Sequence, residues 1–460
     1  MRLLKELQIL PSCLLQVPVS AAFFPVLILL ASVIALRPTD VAVAFQEAEQ
    51  FEQSAEKGAV DDSAQSEEDW SQWRGNLRTG HLKRETNWPD SVSESAMEQL
   101  WSVKLGPGYS GPIVVGDRVF AAETKDQKYE VVTAFDRTSG KPLWSARWEG
   151  AMSVPFFARA NGSWIRSTPT YEDGRLYVGG MRDVLVCLHA ETGDEIWRID
   201  FPSQVKSELP TFGYVSSPLI EGDFLYTQAG GGFCKINKHD GQLVWRTLVD
   251  GGGMNGSAFS SPVLAELAGV KQVVVQTRTD LCGIDIETGD ALWKVEIPTF
   301  RGMNILTPTV LEAEDTVFVS SYGGTTQLLK VSRDGDKFTT TQVWNNGSQG
   351  YMNSPVVIDN HVYMHLRNQR FACYDLKTGA ETWRSKPMGK YASMIANGDK
   401  ILALDERGEL LLIKANSDKF ELLSSRKVGD DSWAHLAIRG NQVYVRNLDE
   451  LIVLDWKSEK

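Results

Sequence analysis

The chain has 460 residues, 42% of them hydrophobic and 23% charged, a globular composition that is able to bury a large core. Its formal net charge is −12, and lysine and arginine form no basic stripe, so we expect no nucleic-acid partner. The 39 glycines and 14 tryptophans favour many tight turns around a β-rich core.

Residues 1–44 have the pattern of a secretory signal. Arg2 and Lys5 precede an apolar run at 21–36, which is followed by a small-x-small motif ending at Ala44. This run of 16 residues is shorter than the ~20 that a membrane-spanning helix prefers. We therefore predict cleavage after Ala44 and a location in the periplasm or cell envelope. An uncleaved anchor is the alternative, and it would provide the only expected membrane contact.

Residues 45–69 are polar and acidic, with nine aspartates and glutamates against the single Lys57. Such a segment has too few apolar residues to form a core, and it is predicted to be a disordered linker. Most of the negative charge of the chain therefore belongs to a solvated tail.

From residue 70 onward one unit recurs. It begins with a small residue and proline, continues through apolar strands separated by Gly/Asp turns, and ends with a Gly turn and a tryptophan. Copies lie at 111–144, 168–197, 217–245, 261–293 and 354–383, with a degenerate copy at 307–344. Short alternating strands between such turns predict four antiparallel strands per unit, which is the blade of a β-propeller.

Tryptophans mark the predicted outermost strands, where a large ring is able to wedge between neighbouring blades. They are Trp101, Trp144, Trp197, Trp245, Trp293, Trp344 and Trp383, with Phe420 as a weaker eighth marker. The strand around Trp101 precedes every inner strand, whereas the last set of strands has no outer strand after it. Residues 70–460 are therefore predicted to form an all-β, eight-bladed propeller whose last blade is closed by the strand near Trp101. Closure removes exposed strand edges.

Units of the form x-Pro-Val-x-x-Gly-Asp-x-Val-Tyr-Val, ending in Thr-Gly-x-x-x-Trp, resemble pyrroloquinoline-quinone (PQQ) repeats. Such repeats occur in PQQ dehydrogenases and in BamB, the outer-membrane assembly scaffold. The resemblance covers about 101–457, and the opening sequence WSQWRG at 70–75 resembles segments that precede such propellers. It implies the propeller fold, together with either of two functions, protein binding or quinone-dependent oxidation.

The resemblance to PQQ dehydrogenases implies a quinone above Ca²⁺, beneath two adjacent cysteines. This chain has no Cys-Cys pair, and four of its five cysteines fall in the third strands of different blades, at Cys187, Cys234, Cys282 and Cys373. The sequence also has no HExxH motif and no visible set of hard-cation ligands. We expect no cofactor, no metal site and no catalytic residue. PQQ with Ca²⁺ is the alternative.

In such a propeller, the connections from an outer strand to the next inner strand share one face with the turns between the two middle strands. Several of these connections are long and irregular, at 149–166, 201–214 and 249–259. Residues just before the inner strands form a candidate partner or ligand face: Tyr109, Trp164, Arg166, Tyr214, Phe259, Asn304, Tyr351, Tyr391, Trp433 and His435. Aromatic residues with arginine are typical of binding hot spots. The same side chains could instead stack on a planar ligand, or plug the channel and pack on one another.

Three functions remain open from the sequence. The leading interpretation is a non-catalytic scaffold in the periplasm or envelope that binds proteins or peptides on this face. A PQQ-dependent oxidoreductase, with Arg166 or Asp431 assisting, is the second. A propeller that captures small molecules or carbohydrates is the third.

Overall fold

The computed structural model describes residues 68–250 and 258–457. The predicted signal and nearly all of the predicted linker lie outside the described residues. Within the described ranges, the strands form eight four-stranded antiparallel sheets arranged as a ring of blades, which confirms the predicted eight-bladed propeller. No helix in these ranges is long and apolar enough to cross a membrane.

Blades 1 to 7 each use four consecutive strands, ordered from the channel outward. In blades 1 to 4 these are β2 (Ile113–Val115), β3 (Arg118–Lys125), β4 (Tyr129–Asp136), β5 (Pro142–Glu149), β6 (Thr170–Glu172), β7 (Arg175–Gly180), β8 (Val184–His189), β9 (Glu195–Asp200), β10 (Leu219–Glu221), β11 (Phe224–Ala229), β12 (Gly232–Asn237), β13 (Leu243–Thr247), β14 (Val263–Leu267), β15 (Val270–Gln276), β16 (Asp280–Asp285) and β17 (Ala291–Glu296).

In blades 5 to 7 they are β18 (Thr309–Leu311), β19 (Thr316–Ser320), β20 (Thr326–Asp334), β21 (Lys337–Asn346), β22 (Val356–Ile358), β23 (His361–His365), β24 (Phe371–Asp375), β25 (Glu381–Arg384), β26 (Ala392–Asn397), β27 (Lys400–Asp405), β28 (Glu409–Lys414) and β29 (Glu421–Lys427). Short helical turns lie in the connections at Phe156–Asn161, Phe201–Val205, Phe300–Gly302 and Glu312–Glu314.

Blade 8 combines the two ends of the described chain. It consists of β30 (Ala437–Arg439), β31 (Gln442–Arg446) and β32 (Glu450–Trp456), with β1 (Met97–Lys104) as its outer strand. In the antiparallel register of β1 and β32, Trp101 lies opposite Val453 and Met97 opposite Trp456. This pairing confirms the predicted closure.

The outer-strand tryptophans join neighbouring blades. All seven predicted tryptophans lie in outer strands. The Trp197 ring of blade 2 packs on Gly241 in the last turn of blade 3, and its indole N–H donates to the Lys238 carbonyl at 3.1 Å. Gly241 has φ +74°, and a Cβ there would lie 2.7 Å from the Trp197 ring. Glycine is thus required both by the backbone conformation and by the close approach of the indole.

Phe420, the predicted eighth marker, does not lie at the outer-strand position that tryptophan occupies in the other blades. Phe420 lies one residue before β29 and packs against the Trp383 ring, 5.5 Å away between centroids. Ser424 occupies the tryptophan position of blade 7, opposite Leu412 at the bulge. Its hydroxyl accepts a hydrogen bond from the Val92 N–H at 3.1 Å, so a segment from before β1 packs where the missing indole would lie.

The segment 69–88 crosses the channel and contacts inner strands of several blades. Trp70 forms an antiparallel bridge with Val114 of blade 1, and His81 forms a parallel bridge with Ala396 of blade 7. These contacts hold the segment across the centre of the ring. It therefore forms a floor beneath the face that carries the long connections.

Asp69 stands at the end of the predicted linker, where the polypeptide enters the propeller. Its side chain is buried, and it forms an ion pair with Arg439 at 2.8 Å. It also accepts a hydrogen bond from the Gly116 N–H at 3.1 Å. Asp69 is thus fixed to blades 1 and 8.

Candidate functional site

The two faces of the ring carry different connections. We call the face with the first and last turns of each blade, such as those at Gly222 and Gly241, the turn face. The opposite face, with the connections 149–166 and 201–214, is the loop face. A cavity of about 720 Å³ opens on the loop face, in the size range of ligand-binding clefts.

A ring of hydroxyl groups runs around the wall of the cavity. The residue before each inner-strand proline is serine or threonine in blades 2 to 6, and its hydroxyl accepts a hydrogen bond from a backbone N–H of the preceding blade. Ser217 N–H donates to Ser261 Oγ at 3.0 Å, and Ser261 N–H donates to Thr307 Oγ1 at 3.0 Å. Thr168 and Ser354 continue the ring. These side chains satisfy buried backbone donors and fix the blades around the site.

The floor of the cavity is an indole between two guanidinium groups. Arg74 and Arg78 both lie 5.5 Å from the Trp73 ring centroid, and Trp73 meets His435 edge-on at 5.3 Å. Arg74 Nη2 donates to the Pro355 carbonyl at 2.5 Å, and Arg78 donates to the Pro218 and Ser217 carbonyls. Burial lowers the pKa of each arginine to about 9, so both remain charged at neutral pH.

One wall is a continuous series of aromatic rings. Tyr109 stacks on Trp433 with 4.9 Å between centroids, and Tyr391 meets Trp433 edge-on at 4.1 Å. Tyr351 lies 5.5 Å from Tyr391 and 4.7 Å from Tyr322. The rings pack on one another, as one interpretation of the sequence expected, while Tyr109, Tyr351 and Trp433 still face the cavity.

The structure brings six of the ten predicted face residues to the cavity. They are Tyr109, Arg166, Phe259, Tyr351, Trp433 and His435. Two others lie directly behind this wall, since Tyr391 packs on Trp433 and Trp164 lies close enough to the Tyr109 hydroxyl to influence its pKa.

Tyr214 and Asn304 instead form hydrogen bonds inside the protein that support the fold. Tyr214 is buried, and its hydroxyl lies 2.5 Å from Thr227 Oγ1. The Asn304 amide donates to the Arg278 and Ile297 carbonyls at 3.0 and 3.3 Å, which fixes a connection against a turn. Neither side chain lines the cavity.

Several cavity residues were missed by the sequence reasoning. They include Trp73, Phe157, Phe212, Arg278, Phe300, Arg301 and Met303. Phe157 and Phe212 lie inside connections that the sequence marked as irregular, so their aromatic character was a usable signal. Arg278 lies in a turn between middle strands, where a search confined to residues before the inner strands could not find it.

Among the described residues, the cavity lining includes Arg166, Arg278 and Arg301 but no aspartate or glutamate. Ca²⁺ requires several oxygen ligands, usually including carboxylates, so this lining does not fit a quinone held over Ca²⁺. In the described ranges, no group of three or more His, Cys, Asp or Glu residues is arranged to hold a metal ion. The cysteines at 187, 234, 282 and 373 are buried and unpaired.

Comparisons with known proteins agree with this architecture. A family model described as "Outer membrane protein assembly factor BamB" matches residues 128–385. The BamB of Moranella endobia is 22% identical over 375 residues, which cover 78% of this chain and 90% of that protein. The BamB of Yersinia pestis is 21% identical over 335 residues, or 71% of this chain and 70% of that protein. The crystal structure of BamB from Moraxella catarrhalis has a TM-score of 0.56 at 15% identity, covering 79% of this chain and 99% of that one.

Proposed function

The chain belongs to the BamB family, and on this premise we propose that it is a non-catalytic scaffold of the cell envelope that binds protein or peptide partners on its loop face. The relatives from Moranella endobia and Yersinia pestis are named as outer membrane protein assembly factors. Those names support an envelope location and a protein partner for this chain.

The observation that carries the proposal is the exposure of large aromatic side chains around the cavity. Phe156 is 80% exposed, Phe157 55% and Phe300 46%, and the last two also line the cavity. Exposed aromatic residues beside a concave site are typical of protein-binding surfaces, because their burial supplies much of the binding free energy.

The proposal is tested by cross-linking the tagged protein to its neighbours in native envelopes and identifying them by quantitative mass spectrometry. The double variant Phe156→Ser/Phe157→Ser is expected to lose the partners that wild type captures. Leu143→Ser/Ile196→Ser is the matched control, since these side chains are also exposed but lie on outer strands. Equal capture by wild type and both variants would contradict a binding role for the loop face.

The non-catalytic part of the proposal has its own test. Purified protein is titrated with PQQ and Ca²⁺ while absorbance and dye-coupled alcohol oxidation are followed. We expect no alcohol oxidation, because the described residues that line the cavity include no carboxylate to hold the ion. Stoichiometric quinone binding with turnover would show that the protein is an oxidoreductase.

A further inference from the structure

Building on the proposed function, we infer that the cavity on the loop face binds an acidic peptide segment of the partner, with an apolar or aromatic side chain beside its carboxylate groups. The ligand class follows from the distribution of charge around the cavity and from the apolar rim that surrounds it.

The charge of the cavity is opposite to that of the chain. The net charge of the protein is −12, yet the described residues that line the cavity include Arg166, Arg278 and Arg301 and no acidic side chain. A concave site with one sign of charge concentrates ligands of the other sign. Guanidinium groups bind carboxylates through paired, charge-assisted hydrogen bonds, so the lining favours a carboxylate ligand.

The floor adds two more positive charges. Arg74 and Arg78 are each 4% exposed, lie against Trp73 and hydrogen-bond to backbone carbonyls. Within the described part of the chain, neither forms an ion pair. Buried charges are normally paired, so these two leave a positive potential directly beneath the cavity.

Nearby carboxylates neutralise only part of this charge. Asp250 pairs with Arg278 at 2.7 Å, and Asp431 lies close enough to raise the pKa of Tyr109. Arg301 has no carboxylate partner among the described residues, and Arg166 likewise has none. Arg166 Nη2 donates to the Gly162 carbonyl at 2.6 Å, but its Nε–H is buried without a partner among the described residues. Donors therefore remain for a ligand.

The rim favours a peptide over a free organic acid. Phe156 lies outside the cavity lining, and Phe157 and Phe300 extend from the lining into solvent. A small anion inside the cavity would leave these rings uncovered. An extended chain that places its carboxylates over the arginines would also cover the phenylalanines, which adds buried apolar area.

The inference is tested by selecting a phage-displayed random heptapeptide library on the immobilised full chain. Selected peptides are expected to be enriched in aspartate, glutamate and large apolar residues relative to the input library. Arg301→Gln, at an exposed position, and Arg166→Gln are each expected to abolish the acidic enrichment. Arg333→Gln is the control, because this arginine pairs with Asp336 in the β20–β21 hairpin at the turn face and lies outside the cavity lining.

Two measurements on a selected peptide complete the test. Replacing its acidic residues by Asn and Gln is expected to weaken binding at least about tenfold, through loss of the charge-assisted bonds. Phenylacetate, which has a ring and a carboxylate but no peptide chain, is expected to bind far more weakly. If phenylacetate binds as tightly as the peptide and Phe156→Ser does not change its affinity, the ligand is a small anion and the inference is overturned.

The inference and the proposed function fail in distinguishable ways. Selected peptides without acidic enrichment would overturn the inference even if Phe156→Ser/Phe157→Ser still lost its envelope partners, and in that case the proposed function would stand. Capture unaffected by the phenylalanine variant would overturn the proposed function whatever the selected peptides contain.

Discussion

On the turn face, short connections have fixed packing tasks, as when Gly241 makes room for the Trp197 indole of the neighbouring blade. On the loop face, the connections differ in length and carry exposed rings such as Phe156 and Phe300. Both faces belong to the same blades, and the comparison shows that their residues have different roles. The repeated residues hold the ring together, whereas residues that depart from the repeat supply the aromatic and arginine side chains of the cavity.

The pKa values of carboxyl groups on the two faces are shifted in opposite directions. In the turns, Asp136 and Asp375 accept hydrogen bonds from Ser139 and Thr378, which lower the pKa of both carboxyls. Burial beneath the loop face raises the pKa of Glu130 to about 7, although Trp148 and Met181 N–H groups bond to it. Burial likewise raises the pKa of Asp183 to about 7. The two faces are therefore expected to respond to pH in opposite directions.

The largest effect is expected at the closing strand. Trp101→Ala removes a buried ring from the junction of blades 8 and 1, where it packs on Gly140. The free energy of unfolding is expected to fall by about 3–5 kcal/mol, measured by urea denaturation. Leu100→Ala on the same strand, at a 39% exposed side chain, is the control and should change stability far less. Equal losses for the two variants would argue against a special role for the indole.

The next effect separates backbone strain from packing on the turn face. Gly241→Ala forces a positive φ on alanine and a clash with Trp197, with an expected cost of about 2–4 kcal/mol. Gly222→Ala in the same blade has a φ of +57° but open space around its Cβ, so only the strain of about 1 kcal/mol is expected. Urea denaturation of both variants measures the difference, and a larger loss of stability at Gly222 would contradict the packing role assigned to Gly241 between blades 2 and 3.

A pH experiment compares the carboxylates of the two faces. The raised pKa of Glu130 means that its neutral form stabilises the fold fully below about pH 4.5 and that this contribution is lost as pH rises through about 7. Between pH 5 and 8, wild type is therefore expected to lose about 1–3 kcal/mol relative to Glu130→Gln. Asp136→Asn should show the opposite sign and only at lower pH, because its stabilising charge is lost on acidification. Parallel thermal-unfolding curves for wild type and Glu130→Gln across pH 5–8 would contradict the assignment.

The smallest effect on stability is expected on the loop-face rim. Phe156→Ser replaces a side chain that is 80% exposed, and the free energy of unfolding should change by less than about 0.5 kcal/mol. Partner capture is nevertheless expected to fall. A large loss of stability would show that the ring supports the fold and would remove it from the binding surface.

The sequence predicts the fold well because every blade repeats the same local requirements. Five outer tryptophans, Trp101 included, pack on a glycine in the last turn of the next blade, so one pattern indicates both strand order and closure. The prediction failed locally at Phe420, since blade 7 replaces the indole with Ser424 and residues from before β1.

The cavity was predicted only in part, because its aromatic and arginine residues follow no repeat. Six of the residues that precede inner strands line the cavity, but the same position also holds Tyr214, which turns into the interface between blades. Position alone does not determine the direction of a side chain in an irregular connection. The floor residues Trp73, Arg74 and Arg78 come from a segment outside the blades. The path of this segment across the channel depends on contacts with residues far away in the sequence, which a local pattern does not reveal.

The order of the strands in blade 8 has a consequence for how the protein is made. Arg446 Nη2 bonds to the Gly106 carbonyl, 340 positions earlier in the chain, so blade 8 joins the two most distant parts of the propeller. During synthesis or export, β1 has no sheet to join until the last three strands have emerged. Such distant pairings form slowly, and an unpaired edge is open to wrong partners in the meantime. A nascent chain of this kind would benefit from a chaperone that shields β1 until its C-terminal partner arrives.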